Sequence, residues 1–440
     1  MTEEKITIIH TNDLHSHVFR LPKIKRWIEN RVTELLEQGH FVIVVDDGDF
    51  IDRSDDNTQA TWGRDNTKFM DEMPYYFATI GNNEGLALPH ERLNELYENR
   101  GFVVLLSNIK DLKGQTPKWA VDDASIVSYQ GTRIMLTGMT ANYSTYPLLG
   151  WMPLDPMAKI QEYNKRKDEY DLFIFLSHLG YPTDKAIADR NENIDVIIGS
   201  HTHHLLEVGE KRNHSLLTAA GRYGEYIGEI TLTLENHKII NKAARTIEVD
   251  RLADDASDIV WTNDWHNGGK AALSKRVIVD LPEPRNAYQQ TQDFLTILKE
   301  YLNTEISMVS TGMFLKTLEN GPLTELDLLE DLPHSIDLMK VTLHGIDLKK
   351  FLKEVDSQSS YLRNTHINGS GFRGDKFGEL VFDGLNRKNI KDNELYTIGT
   401  IDHYLFLPYF RTLENYGEVE FDYSLIMREL AAIYYKEKYE

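Results

Sequence analysis

The chain has 440 residues, and 48 basic against 69 acidic side chains leave a net charge of −21. That balance repels nucleic-acid backbones and anionic membrane surfaces, so neither a nucleic-acid polymer nor a membrane is an expected partner. Cysteine is absent, which excludes disulfides and thiolate chemistry and leaves oxygen and imidazole as the only ligands for any metal.

The length predicts two or three domains. The start, "MTEEKITIIHTNDLH", is acidic and enters an apolar run by Ile6, without the basic and apolar regions of a secretory signal. No apolar run approaches the roughly 18 residues of a membrane span, so a cytoplasmic protein is expected. The first half then repeats one pattern, a short β-rich run that ends in a polar turn. "KITIIHTNDLHSH" opens it; an amphipathic segment from Leu21 to Leu36 and then "FVIVVDDGDFID" follow. "YYFATIGNNEG", "VVLLSN", "DLFIFLSHLG" and "DVIIGSHTHH" continue it, with helical periodicity over Pro89–Arg100 and Pro156–Tyr170. Continuous Val, Ile, Leu and Phe runs predict strands buried on both faces of an α/β layered fold. Hairpin-like stretches at Ser125–Gly138 and Tyr226–Leu234 predict mixed sheets.

The pattern ends at "ARTIEVD" (Ala244–Asp250), and Asp254–Arg276, with "NGGK", reads as a linker. A second unit begins near Val277 with a helix over Tyr288–Tyr301, a strand "EISMVSTG", a helix "TELDLLEDL", a strand "LMKVTLHG" and a helix "DLKKFLKEV". "GELVFDG", "LYTIGTIDHYLF" and a final helix from Tyr423 complete it. The expected division is residues 1–251 and 252–440.

Five turns of the first half hold the chemistry, each where a strand is expected to end, which is where open α/β sheets place their ligands. "NDLHSH" offers Asp13 and His15; "DDGDF" offers Asp49 directly after a glycine; "GNNE" offers Asn82. "LSHLG" offers His178, and "GSHTHH" offers His201 and His203 as a His-x-His pair, with His204 beside them. Singly each is an ordinary cap or solvated residue. Together, Asp, His, Asp, Asn, His, His and His at the carboxyl ends of buried strands have no packing explanation and point to a metal centre. A mixed imidazole, carboxylate and amide set suits Zn, Mn or Fe rather than Mg or Ca. His10 reads as an imidazole at the surface or behind the ligands, and His17 as one facing the cleft. Asp46 and Asp52 read as residues that orient ligands or cap a helix.

The order Asp-x-His, Gly-Asp, Gly-Asn-(His)-Glu, Ser-His-x-Gly, Gly-x-His-x-His resembles that of the calcineurin-like metallophosphoesterases. With the second unit, the chain resembles the two-domain 5′-nucleotidases over nearly its whole length. The resemblance implies a four-layer αββα sandwich followed by a smaller α+β substrate-binding domain. It implies two divalent metals of the Mn, Zn, Fe or Co kind: Asp13, His15 and His203 on one, Asn82, His178 and His201 on the other, Asp49 bridging. Such a pair activates water and clamps an in-line phosphoryl displacement. The implied activity is hydrolysis of a small phosphate ester, a nucleotide or its relative. Two alternatives stand beside it: a phosphodiesterase or pyrophosphatase for cyclic nucleotides, nucleotide-sugars or dinucleotides, and an impaired metal- and nucleotide-binding sensor.

The chain departs from that family where the loop usually reads Gly-Asn-His-Glu with an aspartate three residues past the histidine. Here Asn83 holds the histidine position, as the expected catalytic residue beside Asp49, and Leu86 holds the aspartate's. An amide can still donate to a phosphoryl oxygen but cannot deliver a proton. In the second unit, "STGMFLK" has Leu315 at the family's arginine position, and "DHYLFLPYF" stands where a base-stacking segment is usual. Tyr409 and Phe410, and Phe372 and Arg373 of "GSGFRGDKFG", are the candidate substrate contacts there.

Overall fold

A computed structural model describes residues 3–364, 377–407 and 409–440. Two compact units divide the chain, Met1–Gly269 and Lys270–Glu440. Among the described residues no helix is long and apolar enough to cross a membrane.

Two sheets face each other in the first unit. One runs, edge to edge, Lys238–Glu248, Tyr226–Glu235, Glu3–Thr11, Phe41–Asp47, Phe77–Thr79, Val103–Leu105 and Ala120–Val121. The other runs Glu210–Arg212, Ser215–Thr218, Val196–Gly199, Leu172–His178, Arg133–Thr140 and Asp123–Val127. Because side chains alternate along a strand, each apolar run feeds two cores. Ile6, Ile8, Ile43 and Val45 meet Leu172, Ile174, Leu176, Val196 and Ile198 between the sheets. Ile9, Val42 and Val44 face the opposite way, onto Ile24 and Ile28 of the helix Leu21–Glu37 and Leu93 of the helix His90–Tyr97. Phe173, Phe175 and Ile197 face outward on the second sheet, onto Ile160 and Ile187 of the helices Pro156–Asn164 and Tyr181–Arg190. The layers are helix, sheet, sheet, helix: the runs predict the buried strands, and the resemblance implies the four-layer sandwich.

The hairpin expected over Ser125–Gly138 forms, Asp123–Val127 with Arg133–Thr140. The stretch Tyr226–Leu234 is instead a single strand, within Tyr226–Glu235, whose antiparallel partner is the later Lys238–Glu248. The segment read as a linker is instead the 18-residue helix Ala256–Leu273. Its glycine pair weakens local helix propensity, but Trp261 and Trp265 anchor it to the first unit. Trp261 lies 5.2 Å from the Phe69 ring, and Trp265 Nε1 donates to Asp55 at 2.9 Å.

The second unit is a five-stranded mixed sheet, ordered Leu380–Asp383, Ile306–Ser310, Leu395–Ile401, Asp337–His344 and Glu418–Ile426, beside the two-stranded pair Val277–Leu281 and Gly321–Thr324. The helices Ala287–Tyr301, Gly345–Asn364 and Met427–Tyr439 pack onto it. The last helix begins four residues later than expected from Tyr423, since that residue belongs to the strand Glu418–Ile426 paired with Asp337–His344. A further correction concerns Phe410. It is fully buried, its ring 5.6 Å from Phe351 and 5.8 Å from Phe377, so it is core and has no face for a base. Tyr409 is half-buried with its ring 5.9 Å from Tyr361. Phe372 and Arg373 lie outside the described residues.

Candidate metal centre

The strands Glu3–Thr11, Phe41–Asp47 and Phe77–Thr79 are parallel neighbours in one sheet, as are Leu172–His178 and Val196–Gly199 in the other. Their carboxyl ends therefore gather the turns bearing Asp13 and His15, Asp49, Asn82, His178, and His201 and His203. The two sheets are stitched together at this point. His178 Nδ1 lies 2.7 Å from the carbonyl oxygen of Asp47, and the Ser200 hydroxyl donates to the same oxygen at 2.9 Å.

The backbone here is strained. Asp13, His15, Asp49, His201 and His203 have φ of 51°, 47°, 51°, 69° and 56°, the left-handed region that side chains other than glycine seldom adopt. Such strain persists only where surrounding contacts impose it, and it concentrates at functional sites. The contacts are a ladder between turns: the amides of Asp13, His15 and Ser16 donate to the carbonyls of Gly48, Asp49 and Phe50 at 3.0, 2.8 and 2.9 Å. Close approach also explains Gly-Asp and Gly-Asn as sequence units. A Cβ on Gly48 would come within 2.5 Å of Gly81 N, and one on Gly81 would overlap Asp49 Oδ1.

Two groups of potential ligands result, Asp13 with His15 and His203, and Asp49 with His178 and His201. Within each group one ligand atom per residue lies within 4.8 Å of the others. The Nε2 atoms of His15 and His203 are 3.1 Å apart, and His203 Nε2 is 3.4 Å from Asp13 Oδ1. Asp49 Oδ2 lies between the groups, 3.7 Å from His15 Nε2 and 3.3 Å from His178 Nε2. Ligands bonded at about 2.1 Å around a tetrahedral cation sit roughly 3.4 Å from one another, so these separations fit such an ion.

Chemistry supports the same fit. A carbonyl oxygen can only accept, so Nδ1 of His178 carries the hydrogen that Asp47 receives, which leaves Nε2 as the atom a cation would take. Burial opposes the charge of this imidazole, but Asp49 beside it holds it well above its ordinary value, and a cation would replace that proton. That Nε2 is fully buried without a hydrogen-bond partner, and so is Oδ1 of Asn82. Both are donor atoms for a cation in a place where an unsatisfied polar atom costs about 1–3 kcal/mol. Asp13, Asp46, Asp47 and Asp49 are all buried. Burial raises Asp46 to about 7 and Asp47 well above the carboxylate range. Burial opposes ionisation of Asp49 as well, but the imidazoles of His178 and His15 and the Asn83 amide hold it below its ordinary value.

Asn83 stands beside Asp49 and His15. Its backbone N–H donates to Asp49 Oδ1 at 2.7 Å, and its side-chain amide lies 2.9 Å from His15 Nδ1. Leu86 packs against the helix-side core. His17 stacks on Tyr223 with centroids 3.7 Å apart, while His204 is exposed beside Tyr181. His10 is buried rather than superficial, and burial lowers it to about 4. Asp46 accepts from the Thr11 hydroxyl and Gly48 N, and Asp52 from Ser54 N.

Sequence reasoning missed three supports. Buried Glu84 accepts from the amides of Gly81, Asp49 and Ile51 at 2.8, 3.1 and 2.9 Å, tying two site turns together. Its signal was the glutamate closing "GNNE". Ser16 joins Thr58 and Asn66 at 3.0 Å each, and Tyr223 reaches the site with its amide donating to Asp13 O at 2.7 Å. Nothing local to Ser16 marks its partners; Arg-Tyr between two glycines was the only mark of the last. A third acidic and histidine group, Asp55, Asp56 and His266, is engaged in helix capping and in holding Trp265.

Residues 6–205 match the calcineurin-like phosphoesterase family. The metallophosphoesterase YunD of Bacillus subtilis (strain 168) is 33% identical, with 98% of this chain and 99% of that one covered. Among solved structures, a 5′-nucleotidase precursor from Thermus thermophilus superposes with a TM-score of 0.60 at 18% identity, covering 99% of this chain and 96% of that one. The NAD nucleotidase of Haemophilus influenzae superposes with 0.68 at 16% identity, covering 100% and 97%. At such identities these two likenesses are of fold.

Proposed function

The chain belongs to the calcineurin-like metallophosphoesterases and is a metal-dependent phosphoester hydrolase, and on that premise we propose that it works with two divalent ions on a nucleotide or a related phosphate ester. Asp13, His15 and His203 would hold one ion; Asn82, His178 and His201 would hold the other; Asp49 would bridge them. The observation that carries this reading is the pair of ligand groups flanking Asp49 Oδ2, with two buried donor atoms, His178 Nε2 and Asn82 Oδ1, left without partners. Ions of the Mn, Zn, Fe or Co kind would supply activation of water near neutral pH and neutralisation of charge on the phosphoryl oxygens.

The protein's own groups set the geometry. Ser200 and the Asp47 carbonyl fix the tautomer and plane of His178. Glu84 fixes the amides of Gly81, Asp49 and Ile51, and so the distance between the Asp49 and Asn82 turns. Asn83 braces His15 and Asp49 rather than offering an acid, which favours esters whose leaving group needs no proton. That favours the second reading, a phosphodiesterase or pyrophosphatase, over a plain monoesterase.

Turnover of bis-p-nitrophenyl phosphate by protein stripped of metal and reloaded with Mn, Zn, Co or Ni tests the proposal. Activity that returns with metal and vanishes in Asp49→Asn is the expected result. Stoichiometric metal without turnover would overturn it.

A further inference from the structure

The loop Gly221–Glu225 is held firmly at its backbone and presents two side chains, Arg222 and Tyr223, on the side of the candidate ligands His15 and His203 that Tyr223 touches. The Asn12 side chain donates to Gly221 O at 2.9 Å, Tyr223 N donates to Asp13 O at 2.7 Å, and Arg20 donates to Tyr223 O at 3.1 Å. Glu225 N closes the turn onto Arg222 O at 3.0 Å. Gly221, Tyr223 and Gly224 all have positive φ, and for Tyr223, at 59°, that is strain no glycine relieves. A strained, over-anchored loop that carries an aromatic ring and a cation beside a metal centre has the form of a ligand clamp.

The Tyr223 ring is the link to that centre. It stands edge-on to His15, centroids 5.8 Å apart, and 6.2 Å from His203, the two imidazoles of one ligand group. His17 stacks on it at 3.7 Å, and the Arg222 guanidinium lies 4.6 Å from its centroid. The ring is thus already occupied, and a nucleobase would have to displace one of these neighbours. The guanidinium is different: Arg222 is exposed, and among the described residues its guanidinium makes no hydrogen bond or ion pair, only the contact over Tyr223. On a chain of net charge −21, an unpaired arginine pinned one ring away from the metal ligands is a donor fork for an anion. Guanidinium geometry matches the two oxygens of a phosphate.

We infer that Arg222, oriented by Tyr223 and His17, receives a second phosphate of the substrate, one beyond the phosphoryl group that is cleaved. This rests on the phosphohydrolase reading above and narrows it to substrates with a pyrophosphate linkage or an adjoining phosphate.

Binding tests the site independently of turnover. Calorimetric titrations of the Mn-loaded full chain with inorganic pyrophosphate and with inorganic phosphate, at one free Mn concentration, are compared between wild type, Arg222→Ala and Arg222→Lys. The ratio of pyrophosphate to phosphate affinity is expected to fall about 10-fold or more in Arg222→Ala, a charge-assisted pair being lost, and to recover only in part in Arg222→Lys. An unchanged ratio in Arg222→Ala would overturn the inference. The ratio of kcat/KM for ADP over p-nitrophenyl phosphate is expected to fall with it. Loss of turnover on every ester, with the affinity ratio still dependent on Arg222, would sink the phosphohydrolase reading and leave the anion site standing.

Discussion

The Asn83 side-chain amide lies 2.9 Å from Nδ1 of His15, in the loop position where relatives of this fold are expected to carry a histidine. The amide's Nδ2 is the atom at that distance; with Nε2 of His15 turned toward an ion, Nδ1 would carry the hydrogen, and the amide would turn its oxygen to it. Asn83→Ala is then expected to weaken metal binding at the Asp13, His15 and His203 group by roughly 10–100-fold, read by Mn titration. Asn83→His with Leu86→Asp should raise monoester kcat, by up to ~10²-fold where a lost transition-state donor is restored. A double variant no faster on an alkyl monoester such as AMP, whose leaving alcohol needs a proton, would refute the reading of this loop.

Metal removal should cost stability as well as activity. Buried Asp13 and Asp49 face imidazoles in turns of left-handed backbone, an arrangement that a bound cation relieves. Ions at 100 times their Kd add about 2.7 kcal/mol per site, which for a unit of this size is a Tm fall of roughly 5–10 °C on chelation. Differential scanning calorimetry with and without EDTA measures it. The difference should shrink in Asp49→Asn.

Glu84→Gln replaces one of two accepting oxygens with an NH₂ group facing backbone amides. Since those amides belong to Gly81, Asp49 and Ile51, a buried donor left unpaired should cost about 1–3 kcal/mol and loosen the Asp49 turn. Urea unfolding followed by tryptophan emission would show the loss, and metal affinity should fall in the same variant. Retention of both would remove Glu84 from the site's support.

Asp331 gives the second unit its own pH dependence. It is 0% exposed, accepts from Lys316 N at 2.9 Å through one oxygen and leaves the other without a partner. Burial raises it from 3.8 to about 7, against the pull of the Lys316 amide. A carboxyl raised in the folded state contributes stability that is complete below 3.8 and is lost as pH climbs through about 7. The second unit should therefore be less stable at pH 8 than at pH 4, by up to about 4 kcal/mol, and Asp331→Asn should flatten that slope. Hydrogen exchange in peptides spanning Glu325–Asp331 is the measurement, because the six tryptophans all lie in the first unit.

The turns bearing the candidate ligands were legible because each is a local unit, an apolar run closed by a polar turn with Asp, Asn or His, and in "DDGD", "IGNN" and "IGSH" a glycine stands just before the polar residue. Phe410 was misread because aromatic composition does not say which way a ring faces; burial among Phe351, Phe377 and Tyr404 does. The helix Ala256–Leu273 was misread because its propensity is poor, and tertiary contact through Trp261 and Trp265 overrides it.

Residue order alone therefore settled the layered α/β class and which side chains stand at the strand ends, since those follow from short-range periodicity and backbone sterics. Packing settled the rest. It set the hydrogen on Nδ1 of His178 through Asp47, 131 positions away, the bracing of His15 by Asn83, 68 positions away, and the placing of the Tyr223 ring beside His15 with Arg222 over it. These relationships join residues far apart in the chain, and no local pattern encodes them, because they exist only when two sheets close on each other and a distant loop is pressed into left-handed backbone against the gap.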